Sequence, residues 1–246
     1  WNLKLIHYCI VKYGDECHYQ KVDDLLKNIV EPIRDNCHDI KFHLLTDKPV
    51  DIPYINNINY DEQDVQVHTH WKKLQFFDPK FIGASRTDQT IVSDLDMIWN
   101  KNPTEIVQHN VNKKTLLSVD RWWKKDGDVC RMCGTFYKFN SHDFKYIPKL
   151  YNKHFKYFRE YYALHEEADS TRIVGGEQNF VQEMIELTGT IKLMPPTYVM
   201  KSNWPEYNKD YGLQDIFVKR FENSTGLNYH DCWESAILHI IKKGIN

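Results

Sequence analysis

Residues Thr90 to Trp99 read Thr-Ile-Val-Ser-Asp-Leu-Asp-Met-Ile-Trp, with the carboxylates Asp94 and Asp96 two apart after a short apolar run. In a strand, residues i and i+2 project to the same face. Two carboxylates there can hold a hard divalent cation beside a phosphate. Composition alone lends the motif little weight: with 21 Asp in 246 residues, roughly two such triplets are expected by chance. The chain has a second, Asp126-Gly127-Asp128, in the polar, turn-like stretch Lys124 to Asp128. It serves as an internal control, because only the first pair follows a strand signal. The plain alternative for Asp94 and Asp96 is a pair of surface capping groups.

The surrounding pattern supplies elements that would position the pair. Leu3 to Val11 is apolar and β-favouring and reads as a strand, ended by Gly14-Asp15. Tyr19 to Cys37 spaces Val22, Leu25, Leu26, Ile29, Val30 and Ile33 as one face of a helix, with Pro32 expected to kink its last turn. Ile40 to Leu45 is a second strand, stopped by Thr46-Asp47-Lys48-Pro49. Strand, helix, strand in this order implies a crossover unit in a mainly parallel sheet. His68 to Phe77 reads as a helix closed by Asp78-Pro79. Thr90 to Val92 is the next strand, and the paired aspartates sit at its carboxyl end, where ligands of open α/β sheets gather.

Further on, Thr115 to Val119, Gly134 to Phe139 and Ile191 to Met194 read as strands. His142 to Tyr162 reads as a long aromatic helix interrupted at Pro148, its aromatics expected mainly in the core, with an acceptor groove as the other use. Glu177 to Leu187 reads as a helix opened by Gly175-Gly176, and Asp231 to Lys242 as a closing amphipathic helix. No convincing linker appears. The expectation is one domain over residues 1–246, with an N-terminal nucleotide-type half (1–100) and a C-terminal elaboration (101–246).

Bulk properties narrow the classes. A formal charge of −2 gives no global basic field to recruit nucleic acid. The short Lys runs read as solvated surface. No apolar run is long enough to span a membrane. The chain begins at Trp1, just before a strand, so an anchor or second domain outside it is left open. The location expected is the cytoplasm, or the Golgi or ER lumen if an N-terminal anchor has been removed. The six Cys are too few for a disulfide framework in a chain of this length. Cys130-Arg-Met-Cys133 has metal or redox spacing without a second such pair, and reads as ordinary reduced thiols.

In order and type these features resemble the GT-A-fold glycosyltransferases, nearest to the retaining enzymes that include glycogenin and bacterial lipopolysaccharide galactosyltransferases. The residues that carry the resemblance are Val92-Ser93-Asp94-Leu95-Asp96-Met97-Ile98-Trp99 for the motif strand and Trp71-Lys72-Lys73-Leu74 for the helix before it. Cys133-Gly134-Thr135-Phe136-Tyr137-Lys138-Phe139-Asn140 looks like the strand beside the donor sugar. Gly175-Gly176-Glu177-Gln178 resembles an acidic-Gln pair opening a helix, and Tyr229-His230-Asp231 stands for a late metal-binding His.

The resemblance implies a Rossmann-like, mixed, mainly parallel sheet flanked by helices. It implies transfer of a hexose from a UDP-sugar donor to a hydroxyl-bearing acceptor, with Mn²⁺ or Mg²⁺ held by Asp94, Asp96 and His230. Lys73 and Gly134 would line the donor. Glu177 or Gln178 would stabilise the developing sugar cation in a retaining enzyme, or Glu177 would deprotonate the acceptor in an inverting one. The plain alternative for both is helix N-terminal polarity. Val11, Tyr13 and Asp47 would frame the base, Tyr13 stacking on it and Asp47 accepting from a ring N–H. The sequence departs from the family after His230, where Asp231-Cys232-Trp233-Glu234 replaces the usual Gly and Lys. That leaves the diphosphate-binding Lys unassigned, with Lys201 as a substitute. Two other readings stay open: a haloacid-dehalogenase-like phosphatase using Asp94 and Asp96, and an inactive sugar-nucleotide-binding domain.

Overall fold

A computed structural model describes residues 4–12, 22–59, 69–95, 97–99, 102–121, 131–167, 176–194, 199–201 and 238–240. Strands β1 (Ile6–Lys12), β2 (Ile40–Thr46), β3 (Ile55–Asn59), β4 (Gln89–Ser93), β6 (Thr115–Asp120), β7 (Met132–Asn140) and β8 (Thr190–Met194) form a seven-stranded sheet in the order β3-β2-β1-β4-β7-β6-β8. β7 runs antiparallel to both β4 and β6, and the other adjacent pairs are parallel. The expected mixed, mainly parallel sheet is therefore observed. A smaller sheet pairs β5 (Met97–Trp99), β10 (Leu238–Ile240) and β9 (Val199–Lys201) in the order β5-β10-β9.

Alternation along the strands divides the interior in two. Ile6, Tyr8 and Ile10 of β1 pack with Leu26, Ile29, Val30 and Ile33 of α1 (Val22–Asn36), while Cys9 and Val11 point to the other face, with Trp71, Leu74, Phe76 and Phe77. Strands covered on both faces need apolar residues at nearly every position, which is why β1 carries an almost unbroken apolar run. The α1 side also takes Met97 and Trp99 of β5, and Ile106 and Val107 of α3 (Thr104–Val107). The opposite side is covered by a 3₁₀ helix (Thr69–Phe77), α2 (Pro79–Ile82), α4 (Tyr146–Lys153), α5 (Phe155–Glu167) and α6 (Gly176–Glu186). Among the described residues no helix is long and apolar enough to cross a membrane.

Several sequence expectations are corrected. The segment before the motif strand is a 3₁₀ helix rather than an α-helix. Asp78-Pro79 does not merely close it: the Asp78 carboxylate accepts from the Lys80 N–H and caps α2, with Pro79 in its first turn. The long aromatic helix breaks at His154, not at Pro148. Pro148 falls in the first turn of α4, where an N–H has no helical partner and none is lost. Leu238–Ile240, within the expected closing helix, is strand β10, parallel to β5 and antiparallel to β9. Hydrophobic spacing alone did not separate strand from helix there.

Candidate active site

Asp94 follows β4 directly. Ser93 stands opposite Ile10 of β1, which stands opposite Leu44 of β2. Asp94 is thus level with Val11 at the carboxyl end of three parallel strands. Its backbone N–H donates to the Thr135 carbonyl at 2.9 Å, fixing the turn of chain that leaves the sheet.

The site is built on an irregularity in β7. Ser118 of β6 pairs with Tyr137, but the next residue, Val119, pairs with Cys133. Gly134, Thr135 and Phe136 are therefore extra on β7 relative to β6, and this bulge releases them from the β6 ladder, while Phe136 stays in register with Ser93 of β4. The Ser118 hydroxyl lies 3.0 Å from the Cys133 carbonyl and 2.9 Å from the Phe136 carbonyl, bridging the two sides of the bulge. The freed groups are taken up locally. The Gly134 carbonyl accepts from Lys73 Nζ at 3.0 Å, and the Gly134 N–H donates to Gln178 Oε1 at 2.8 Å. A Cβ at residue 134 would come within 3.1 Å of Tyr137 Oη, 3.2 Å of Glu177 Oε2 and 3.3 Å of Gln178 Cβ. Glycine is favoured here by close approach rather than by a turn, because a methyl would push these neighbours back by a few tenths of an ångström.

Lys73 draws the cluster together. Its ammonium lies 2.7 Å from Asp94 Oδ1 and 3.6 Å from Glu177 Oε2, besides its bond to Gly134. Tyr137 Oη donates to the other Glu177 oxygen at 3.0 Å. Glu177 is buried, and burial pushes its carboxyl up to about 7 against the pull of Lys73; the nearby Asp94 charge adds to the rise. Asp94 is the open member, with a third of its side chain exposed.

Two elements must hold still for this geometry, and one aromatic cluster fixes both. Trp71, two residues before Lys73, stacks on Tyr151 of α4 with ring centroids 4.7 Å apart. It also meets Phe180, three residues after Glu177, at 5.7 Å. The aromatics between Tyr146 and Tyr162 thus serve mainly as core, as expected, although Tyr157 and Tyr161 stack on one another at the surface.

The remaining expected residues are distributed as follows. Val11 buries its side chain in the core, so only its backbone reaches the strand end. Asp47 lies just past β2 at the same edge, 3.8 Å from Lys12 Nζ. Two strand spacings, about 10 Å, separate the β2 and β4 lines. Lys201 is the last residue of β9, paired in register with Leu238. Tyr13, Asp96 and His230, like Cys130, Asp126 and Asp128, lie outside the described residues. Cys133 is a buried free thiol. The sequence reading missed Tyr137, Ser118 and Thr135. Nothing marks them in one dimension, although a buried Tyr hydroxyl usually finds a partner.

A hard cation needs anionic oxygen donors. Asp94 offers one, partly exposed at the carboxyl end of β4 and paired with Lys73. Among the described residues no three His, Cys, Asp or Glu side chains gather as a metal site. Asp96 and His230 would have to complete the set.

No protein-family model matches the chain, and no curated protein matches its sequence. Solved structures do match. The galactosyltransferase LgtC, crystallised with donor and acceptor sugar analogs, is 11% identical, with a TM-score of 0.54 over 78% of this chain and 74% of its own. The apo form of the glycosyltransferase GlyE of Streptococcus pneumoniae TIGR4 is 12% identical, with a TM-score of 0.48 over 87% of this chain. The chain spans about half the length of GlyE, 51%. The fold is that of the GT-A glycosyltransferases: a mixed, mainly parallel seven-stranded sheet between helical layers.

Proposed function

We propose that the chain is a metal-dependent glycosyltransferase that moves a hexose from a UDP-sugar to a hydroxyl of a glycan, protein or lipid-linked acceptor. The observation that carries this reading is the convergence of Lys73 on Asp94, Glu177 and the Gly134 carbonyl at the carboxyl end of the central strands. Transfer breaks the bond between the anomeric carbon and the donor diphosphate. Negative charge then grows on the leaving oxygen and positive charge on the sugar. A bound Mn²⁺ or Mg²⁺ would act as a Lewis acid on the diphosphate, with Asp94, Asp96 and His230 as its holders.

Lys73 adds fixed positive charge beside the same diphosphate. Gly134, lacking a side chain, lets Tyr137, Glu177 and Gln178 close on its backbone beside the site. Glu177 reaches the same Lys73 ammonium at 3.6 Å, where a carboxylate would stabilise the cationic sugar. Its pKa, raised by burial to about 7, also suits it to accept the acceptor's proton. Tyr13, Val11 and Asp47 would frame the uracil, and Lys201 would meet the diphosphate in place of the missing family Lys.

The direct assay is release of nucleoside diphosphate from a panel of sugar nucleotides, with and without Mn²⁺. Metal-dependent release from one or more of them is expected. Vanadate-sensitive phosphatase activity with no release from any donor would refute the reading in favour of the phosphatase alternative. Tight UDP-sugar binding without turnover would favour the inactive binding domain.

A further inference from the structure

The turn that carries Asp94 lies between β4 and β5, and each of these strands ends in a buried residue with a polar side-chain atom. Ser93 is the last residue of β4 and Trp99 the last of β5. Ser93 stands opposite Phe136 of β7, and the Trp99 ring meets the Phe136 ring edge-on with centroids 6.4 Å apart. On its other side Ser93 pairs with Ile10 of β1, and Tyr8, two residues before Ile10, shares that face. The Tyr8 hydroxyl faces this junction. Ser93 and Trp99 are its hydrogen-bonding neighbours, and both oppose the upward push that burial gives the phenol. Tyr8 Oη, Ser93 Oγ and Trp99 Nε1 make no hydrogen bond elsewhere among the described residues, and none is fully closed within the group. Strands covered on both faces favour apolar residues, and a buried hydroxyl is costly unless it bonds. Three such groups converging on one point therefore call for a common explanation. They match in kind: an indole N–H only donates, a phenol both gives and takes a bond, and a serine oxygen accepts.

We infer that Tyr8, Ser93 and Trp99 are positioning residues for the Asp94 turn: Trp99 Nε1–H donates to Tyr8 Oη and Tyr8 Oη–H to Ser93 Oγ, one knot that ties the strands on both sides of the turn to β1. The Thr135 carbonyl already holds the Asp94 N–H from the β7 side. The knot holds the flanking strands from the β1 side, so the carboxylate is set between two fixed supports. None of the three side chains touches a ligand; they act through the backbone that presents Asp94. The use of that turn to hold a metal rests on the transferase reading given above, whereas the knot itself can be judged without it.

The test compares the whole chain with Tyr8→Phe, Ser93→Ala and the two combined, changes that delete a hydroxyl and keep the rest of the packing. Tyr54→Phe, which removes a phenol hydroxyl beside Phe42 on the same side of the sheet, is the control. Amide hydrogen exchange is read by NMR at Asp94, which reports the turn, and at Ile91, which reports the strand. UDP affinity is read by calorimetry with and without Mn²⁺. Tyr8→Phe and Ser93→Ala should each speed Asp94 exchange about tenfold relative to Ile91. Each should weaken UDP binding in Mn²⁺ about tenfold and leave metal-free binding within about twofold. The double variant should go no more than about threefold beyond either single one, because both changes open one network. The Trp99 indole N–H resonance should move in Tyr8→Phe and stay in place in Tyr54→Phe.

The inference is overturned if Asp94 exchange follows Ile91 in every variant, because the hydroxyls then matter to the core and not to the turn. Single effects that multiply in the double variant overturn it equally, as does a Trp99 indole N–H that ignores Tyr8→Phe. A parent protein whose UDP binding ignores Mn²⁺ would defeat the transferase reading instead, and the exchange data would still decide whether the knot holds the turn.

Discussion

At the amino ends of β1 and β4, His7, His43 and Asp88 form a sealed polar chain that Asn56, exposed on β3, caps; at the carboxyl ends of the same strands, Lys73, Glu177 and Gly134 form a buried one that opens to solvent at Asp94. The sealed chain runs in one direction. Asn56 Nδ2 donates to His43 Nδ1 at 3.2 Å, His43 Nε2 to His7 Nδ1 at 2.9 Å, and His7 Nε2 to Asp88 Oδ2 at 3.3 Å. Asp88 Oδ2 also accepts from the Ser85 N–H at 2.7 Å. Each neutral imidazole spends one donor and one acceptor, so the chain closes without a net charge on either ring. Burial holds both histidines below their ordinary range, His43 down to about 4, while Asp88 pulls the other way on His7. At the carboxyl end, one cation faces two carboxylates and a carbonyl, and Asp94 is left partly in water. The first arrangement is complete as it stands. The second has unspent capacity for charge, as expected of a group of residues built to meet a ligand.

The comparison can be broken most forcefully at Asp94. Asp94→Asn should reduce Mn²⁺-dependent turnover about a thousandfold or more, yet shift the unfolding temperature only slightly, because the side chain is partly exposed. A large loss of stability with modest loss of turnover would make Asp94 a structural group like Asp88. Glu177→Gln should lower kcat about a hundredfold. Its stability should also depend less on pH than that of the parent. Glu177 has a raised folded pKa, so the parent's stability is full near pH 4.5 and declines as pH rises through about 7; the neutral amide removes that slope, which unfolding curves at pH 5 and pH 8 would show.

At the sealed end the sign reverses. The folded pKa of His43 is depressed, so its contribution is present above about pH 6.5 and lost as pH falls toward 4. His43→Gln, which keeps a donor and an acceptor but does not titrate there, should flatten that acid limb by up to about 3 kcal/mol and leave turnover at pH 7.5 untouched. Gly134→Ala is the smallest perturbation. The contacts of 3.1–3.3 Å that its methyl would meet should cost about 1–3 kcal/mol of stability, and should also weaken donor binding, because Tyr137, Glu177 and Gln178 would all have to give.

The two ends were not equally legible in the sequence. Asp94 was marked by its position after a strand signal, and Lys73, Gly134, Glu177 and Gln178 by the resemblance of their segments to GT-A enzymes; the fold brings these five together. The long elements β1, α1, β2, β4, β6, β7, α6 and β8 were legible because each carries a strong hydrophobic pattern. The sealed cluster was not marked, because His7, His43 and Asp88 come from three separated segments with no shared spacing. Tyr137 and Ser118 were missed likewise: each acts on a neighbour that only the bulge in β7 brings near. β3 reads Ile-Asn-Asn-Ile-Asn, polar because it is an edge strand with few core positions. β5 has three residues and α2 and α3 four each, too few for a period to show.

The central claim is that the carboxyl-end cluster is a metal-dependent donor site. Calorimetric titration of UDP into the protein, with and without Mn²⁺, for the parent, Asp94→Asn and His43→Gln, tests it most directly. The account predicts that Mn²⁺ strengthens UDP binding at least tenfold in the parent and in His43→Gln, and that Asp94→Asn abolishes the gain. UDP binding that ignores Mn²⁺, or a gain that survives Asp94→Asn, would contradict it.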